Sequence, residues 1–281
     1  MPVSPYLNPP TFDLSKLRAL TLATEHTPAP RGSPTKDSLI AFDWDDTLLP
    51  SSFLSSKGLR LDSEQSRVRE LEAPLTEISH SVIGVLTLAL QYGPVTVITN
   101  AETGWVHLSC AKFMPLVVPL LAKLTIVSAR STYEQLFPES PLKWKFYCFQ
   151  ERISALSLLS GGKKEKNILS FGDSHVEREA VRACTRGMAN TRTKSVKFAE
   201  RPSIEQLRRQ IELVTNCFAY IHNHEGDLDL QLTVTVGNAP QDNKAQGAPM
   251  KASDGTESKS MYGNALQQQD PLHTSEEKPM A

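Results

Sequence analysis

This sequence predicts an α/β fold: a parallel sheet of about five strands, helices on both faces, and one peripheral strand near the C-terminus. Three observations carry that reading. Five short apolar runs, at residues 39–42, 95–99, 124–128, 168–171 and 196–198, have the length and residue types of buried strands. Helix-like stretches separate most of them. Strands that alternate with helices, rather than with tight hairpin turns, need crossover connections and hence a parallel sheet.

Taken in order, residues 1–36 are rich in Pro, Thr and Ser with no lasting period, the composition of a disordered leader. The first strand ends abruptly in Asp43, Asp45 and Asp46. Leu75, Ile78, Val82, Val85, Leu86 and Ala89 then share one helical face. Residues 105–121 read as a helix broken near Pro115 and Pro119. Residues 145–159 and 177–184 are further helices, and Pro202-Ser203-Ile204-Glu205 opens the last, which runs to about Tyr220. Residues 227–236 alternate, with Leu228, Leu230, Leu232, Val234 and Val236 on one face. That is a half-exposed strand, expected to join an edge of the sheet or to pair with another peripheral strand. The folded domain is expected at 37–236. Residues 237–281, rich in Gln, Asn, Gly, Ser and Lys, read as a disordered tail.

The whole chain narrows the function classes. Its 281 residues carry a formal net charge of −1 with no basic stripe, so no nucleic-acid partner is expected. The four cysteines show no Cys-x-x-Cys pairing, which fits a reducing compartment. The N-terminus lacks the basic and apolar regions of a secretory signal. The longest apolar run, at residues 113–121, is too short for a membrane span and holds two prolines. A cytoplasmic or nuclear location is expected.

The chemistry is concentrated at strand ends. Carboxylates crowded where the first strand stops repel one another unless a cation joins them, which calls for a hard metal such as Mg²⁺ and suggests phosphate chemistry. Asp43 ends that strand, and Asp45 lies in the turn beyond it. In aspartyl-phosphate chemistry one carboxylate attacks phosphorus and a second group handles the proton. The second strand ends in Thr99 and Asn100, and a hydroxyl with its following N–H can hold a phosphoryl oxygen without adding charge. A later strand ends in Gly172-Asp173, and Glu177 follows four residues on.

These motifs, in this order, resemble those of the haloacid dehalogenase (HAD) superfamily, whose core is Rossmann-like. The first pattern there is Asp-x-Asp-x-Thr, matched by Asp43, Asp45 and Thr47. The resemblance spans about residues 38–198. It implies that Asp43 is a nucleophile and that Asp45 is the acid/base, with a backbone carbonyl on Mg²⁺. It assigns Thr99 to phosphate contact, with Asn100 beside it. It asks for a lysine near a helix start, for which Lys145 is preferred and Lys143 is the alternative. Asp173 would bind Mg²⁺ directly, and Glu177, in place of the family's second Asp, would reach it through water or orient a ligand. Asp46, where many relatives have Gly, receives no direct role, and His175 reads as a bystander. A narrower similarity, to uncharacterised HAD-like proteins of protists and algae, makes Glu102, Trp105 and Arg130 candidates for the site rim, although Trp105 also reads as core packing.

Family members enclose small substrates with inserted cap domains. Residues 50–69 are too few for a cap and are expected to form a hairpin-like flap. Residues 100–145 hold only what the core requires. An uncapped cleft favours a large phosphorylated substrate such as a phosphoprotein. A small-metabolite phosphatase is the alternative, as is a phosphoprotein-binding or scaffold module with little turnover.

Overall fold

The computed structural model describes residues 37–159 and 165–233. The leader and the tail expected at residues 1–36 and 237–281 lie outside them, as do Val234 and Val236 of the alternating run.

Six strands form one sheet: β1 (Ser38–Phe42), β2 (Val95–Thr99), β3 (Thr125–Ser128), β4 (Lys166–Gly172), β5 (Thr191–Lys197) and β6 (Leu228–Gln231). Their order is β3-β2-β1-β4-β5-β6, and every neighbouring pair is parallel. The chain builds outward from β1 to β3, then returns to the other side of β1 with β4. The gap between β1 and β4 is therefore the topological switch point, where open parallel sheets bind ligands at the carboxyl ends of their strands. The alternating run near the C-terminus joins the sheet as the edge strand β6, with Leu230 buried.

Side-chain alternation along β1 sorts the two cores. Ile40 and Phe42 face one helical layer, formed by α3 (Glu72–Tyr92), α4 (Trp105–Phe113) and α9 (Ile204–Asn223). Leu39 and Ala41 face the other, formed by α7 (Pro141–Leu159) and α8 (His175–Thr185). Among the described residues only α3 is long and apolar enough to cross a membrane. Its buried stripe is the one read from the sequence, and it packs against α9.

Three features depart from the expected pattern. Residues 50–69 form two short helices, α1 (Ser51–Ser56) and α2 (Gln65–Arg69), and not a hairpin-like flap. Asp46 is the reason at its N-terminal end: its carboxylate accepts the backbone N–H of Ser52 at 2.9 Å, and Ser51 Oγ donates to it at 3.4 Å, so it caps α1. Asp46 also has φ 53°, a left-handed conformation that Asp tolerates better than most residues. Second, β5 begins at Thr191, not at Val196. Its polar residues hide a strand: Lys194 is 1% exposed, and its ammonium donates to the His222 carbonyl at 2.8 Å and to Asn167 Oδ1. Third, beyond α5 (Val118–Leu121) and β3, a short helix, α6 (Ala129–Tyr133), follows the strand directly, capped by Ser128, whose Oγ accepts from the Ser131 N–H at 2.9 Å.

The edge strand is fastened through Asp229. Arg178 of α8 forks onto its carboxylate with two bonds of 2.7 and 2.6 Å, and Arg182 joins them. Asp227 accepts the Thr193 N–H at 2.7 Å. Bidentate, part-buried pairs of this kind are stronger than exposed ones. Asp229→Ala is therefore expected to lower the unfolding free energy by roughly 1–3 kcal/mol in urea titrations. Arg182→Ala, at an exposed arginine, should cost less than about 1 kcal/mol.

Candidate active site

Parallel pairing brings the three strand-end motifs to one edge of the sheet. The Asp43 N–H donates to the Phe171 carbonyl at 2.8 Å, which sets the end of β1 beside the end of β4. Thr99 closes β2 on the other side of β1. Asp43 shares the parity of Leu39 and Ala41, so it projects toward the layer that holds α7.

Lys145 meets it there. This lysine is fully buried and lies on the inward stripe of α7 with Phe149, Ile153 and Leu156. Its ammonium donates to Asp43 Oδ1 at 2.7 Å and to the Ile98 carbonyl, and pairs with Glu177 Oε1 at 3.0 Å. Lys143 lies two positions earlier on the helix, with its ammonium over the Phe137 ring at 5.3 Å. Helical phase thus decides between the two lysines in favour of Lys145.

Glu177 does two jobs. One oxygen holds Lys145. The other accepts the Ser174 N–H at 3.2 Å and takes the Ser174 hydroxyl, completing a capping box at the start of α8. The side chain lies directly over Gly172: a Cβ there would sit 2.6 Å from Glu177 Cγ. Close approach of Glu177, rather than a tight turn, is what demands glycine at this position.

One carboxylate oxygen each from Asp43, Asp173 and Glu177 lies within 4.8 Å of the others. These are hard oxygen donors of the kind Mg²⁺ selects. Asp45, expected to reach the metal through its backbone carbonyl, keeps its carboxylate outside this trio. It turns to the Trp105 indole N–H, which lies 3.0 and 3.1 Å from its two oxygens. Trp105, read chiefly as core packing, is therefore a contact of the site. The reverse contact is also made: Trp44 Nε1 donates to Ser109 Oγ on α4 at 2.9 Å. The two indoles lock the turn after β1 onto α4.

Thr99 is buried, and its Oγ1 accepts the Ala101 N–H at 3.0 Å, which leaves its own proton to donate. Asn100 Nδ2 donates to the Pro141 carbonyl at 3.4 Å, and its buried Oδ1 has no partner. Thr47 is fully buried with its hydroxyl unpaired. His175 is exposed at the start of α8, apart from the buried cluster.

Charge crowding perturbs the acids. Burial, with repulsion from Asp43 and Glu177, pushes Asp173 up to about 8. Burial also raises Asp43, to about 7, against the pull of Lys145. Desolvation raises Asp45 despite the Trp105 hydrogen bond. Glu177 moves the other way: burial opposes its ionisation, but Lys145 and Ser174 outweigh that and hold it below the usual range. With all three acids ionised the cluster would carry more negative charge than Lys145 can neutralise, so either protons or one more cation must offset it.

Glu102, Thr103 and Trp105 on one side, and residues 49–62 on the other, line a cleft of about 810 Å³ that begins at Asp45. Arg130 stands at its rim, ion-paired to Glu134 at 2.9 Å. All three rim candidates from the sequence line this cleft. No family model, curated relative or solved structure matches this chain.

The raised acids make a stability prediction. Between the ordinary value of 3.8 and folded values of about 7 and 8, Asp43 and Asp173 hold more protons in the native state than in the unfolded one. Without metal, stability should therefore fall as pH rises from about 4 to about 8. Mg²⁺ should raise Tm more at pH 8 than at pH 5 in calorimetry run with and without EDTA. An equal effect at both pH values would contradict cation binding by these acids.

Proposed function

We propose that this protein is a Mg²⁺-dependent phosphomonoester hydrolase of the haloacid dehalogenase type, working through an aspartyl-phosphate on Asp43. One observation carries the reading: the buried contact of Lys145 with Asp43 and Glu177, beside Asp173. These residues come from three separate segments, and each segment was singled out by its own motif. Their convergence at the switch point of the sheet supports a single catalytic centre.

In this reading Asp43 attacks phosphorus in line. The P–O bond to the leaving group breaks as the Asp43–phosphorus bond forms, and Asp45 gives its proton to the departing oxygen. Asp45 then takes a proton from water. That water attacks the aspartyl-phosphate, releasing phosphate and restoring the Asp43 carboxylate. Burial favours a protonated Asp45 at the start, which suits an acid; the Trp105 indole steadies the carboxylate it becomes. Lys145 offsets charge on Asp43 and the phosphoryl group together, and Thr99, with Asn100 next to it, supplies neutral donors. Asp43, Asp173 and the Asp45 carbonyl would hold Mg²⁺, which supplies further neutralisation of the phosphoryl charge; Glu177 acts mainly through Lys145 and Ser174.

Substrate size follows from the walls of the cleft. Residues 50–69 form α1 and α2 and residues 100–145 form core elements, so neither segment contributes a cap. An open cleft favours a large substrate that covers the centre itself.

Asp43→Asn keeps the side-chain shape but removes the attacking charge. It is expected to abolish Mg²⁺-dependent hydrolysis of p-nitrophenyl phosphate while the circular dichroism spectrum is retained. Asp173→Ala should weaken the apparent Mg²⁺ affinity more than Glu177→Ala. Full turnover in Asp43→Asn would overturn the mechanism.

A further inference from the structure

The cleft that begins at Asp45 has a composition as well as a size. Asp45, in the reading above, protonates the leaving oxygen, so whatever that oxygen belongs to must extend from Asp45 into this cleft. Its lining sets apolar groups, among them Leu61, Trp105, Leu108 and Phe113, beside the hydroxyls of Ser51, Ser52, Ser55 and Thr103. Besides Asp45, its charged groups are of both signs, Arg60 and Arg130 against Asp62 and Glu102. The walls are also tied to each other: the Lys112 ammonium at the end of α4 donates to the Ser63 carbonyl across from it.

We infer that the cleft takes an aromatic leaving group, and that the substrate is a phosphotyrosyl polypeptide. Serine and threonine place the ester oxygen one carbon from the backbone, with no body to fill an apolar cleft. Tyrosine inserts a ring between the two. An aromatic ring buries a large apolar area and packs well beside Trp105 and Phe113. At about 810 Å³ the cleft exceeds a single ring and is open to solvent, which leaves room for residues flanking the tyrosine. Leu108, 59% exposed at its edge, extends the apolar surface outward toward such a chain.

The inference rests on the phosphatase reading only for the role of Asp45, and the two can fail separately. Labelled peptides of one sequence, carrying non-hydrolysable phosphonate counterparts of phosphotyrosine or phosphoserine, are titrated with the wild-type protein in Mg²⁺ and followed by fluorescence anisotropy. The aromatic peptide is expected to bind tighter by a factor on the order of ten to a hundred. That advantage should shrink at least several-fold in Leu108→Asp, which sets a charge on the apolar edge, and in Ser55→Trp, which fills the cleft; both positions are exposed, so the fold should tolerate them. Equal affinities for the two peptides, or an advantage untouched by both variants, would overturn the inference. Phenylphosphonate alone binding as tightly as the aromatic peptide would overturn the polypeptide assignment. Hydrolysis of acetyl phosphate by the same preparation reports on the phosphatase reading by itself, because that substrate has no ring to place.

Discussion

The buried ammonium of Lys145 is the constraint on which the rest of the site depends. It sits between a strand-end carboxylate, Asp43, and a helix-cap carboxylate, Glu177, at 2.7 and 3.0 Å. A lysine this deep is costly to desolvate and is stable there only while its partners are ionised and close. That requirement runs in several directions. Asp43 must point into the α7 layer. Glu177 must fold back over Gly172, which excludes any side chain there. The start of α8 must be capped by Ser174 so that Glu177 stays in place. Removing either acid would leave a buried charge short of a partner, a change that typically costs about 3–5 kcal/mol. Structure and chemistry are thus coupled through one group.

The same contact organises the electrostatics. One lysine serves a cluster to which Asp43, Asp173 and Glu177 all contribute. Lys145 and Ser174 keep Glu177 ionised, whereas burial leaves Asp173 and Asp43 with raised proton affinity. A centre in this condition favours cations and tolerates an incoming phosphoryl group only with further positive charge. Asp45 is kept out of the cluster by Trp105, and that separation lets neighbouring carboxylates play different parts. One is pinned by the Lys145 ammonium; the other is desolvated, hydrogen-bonded to an indole, and lies at the cleft.

Much of this was legible in the sequence, for physical reasons. The strands β1, β2 and β4 lie at the sheet centre, so both their faces are apolar and their ends are marked by a sudden change to polar residues. The sequence offered both Lys143 and Lys145; the buried stripe through Phe149, Ile153 and Leu156, seen in the structure, is what separates them. The start of β5 was hidden because Lys194 and Lys197 bury their stems and pair their heads with a carbonyl, an amide or a glutamate. Asp46 as a cap and Trp105 as a partner of Asp45 depend on contacts across 6 and 60 residues that no periodicity records. The cleft is legible only in three dimensions, since its walls come from α1, from α4 and from the loops beside them.

The most direct test of the account asks where the phosphoryl group rests during turnover. The protein is mixed with a phosphomonoester in Mg²⁺, quenched in acid, and reduced with borohydride, which converts an acyl phosphate to the corresponding alcohol. Mass spectrometry of the resulting peptides then reads the position. The account predicts reduction at Asp43 alone, dependent on both substrate and Mg²⁺. Hydrolysis that proceeds with no reducible group at Asp43, or with the label at another carboxylate, would contradict it.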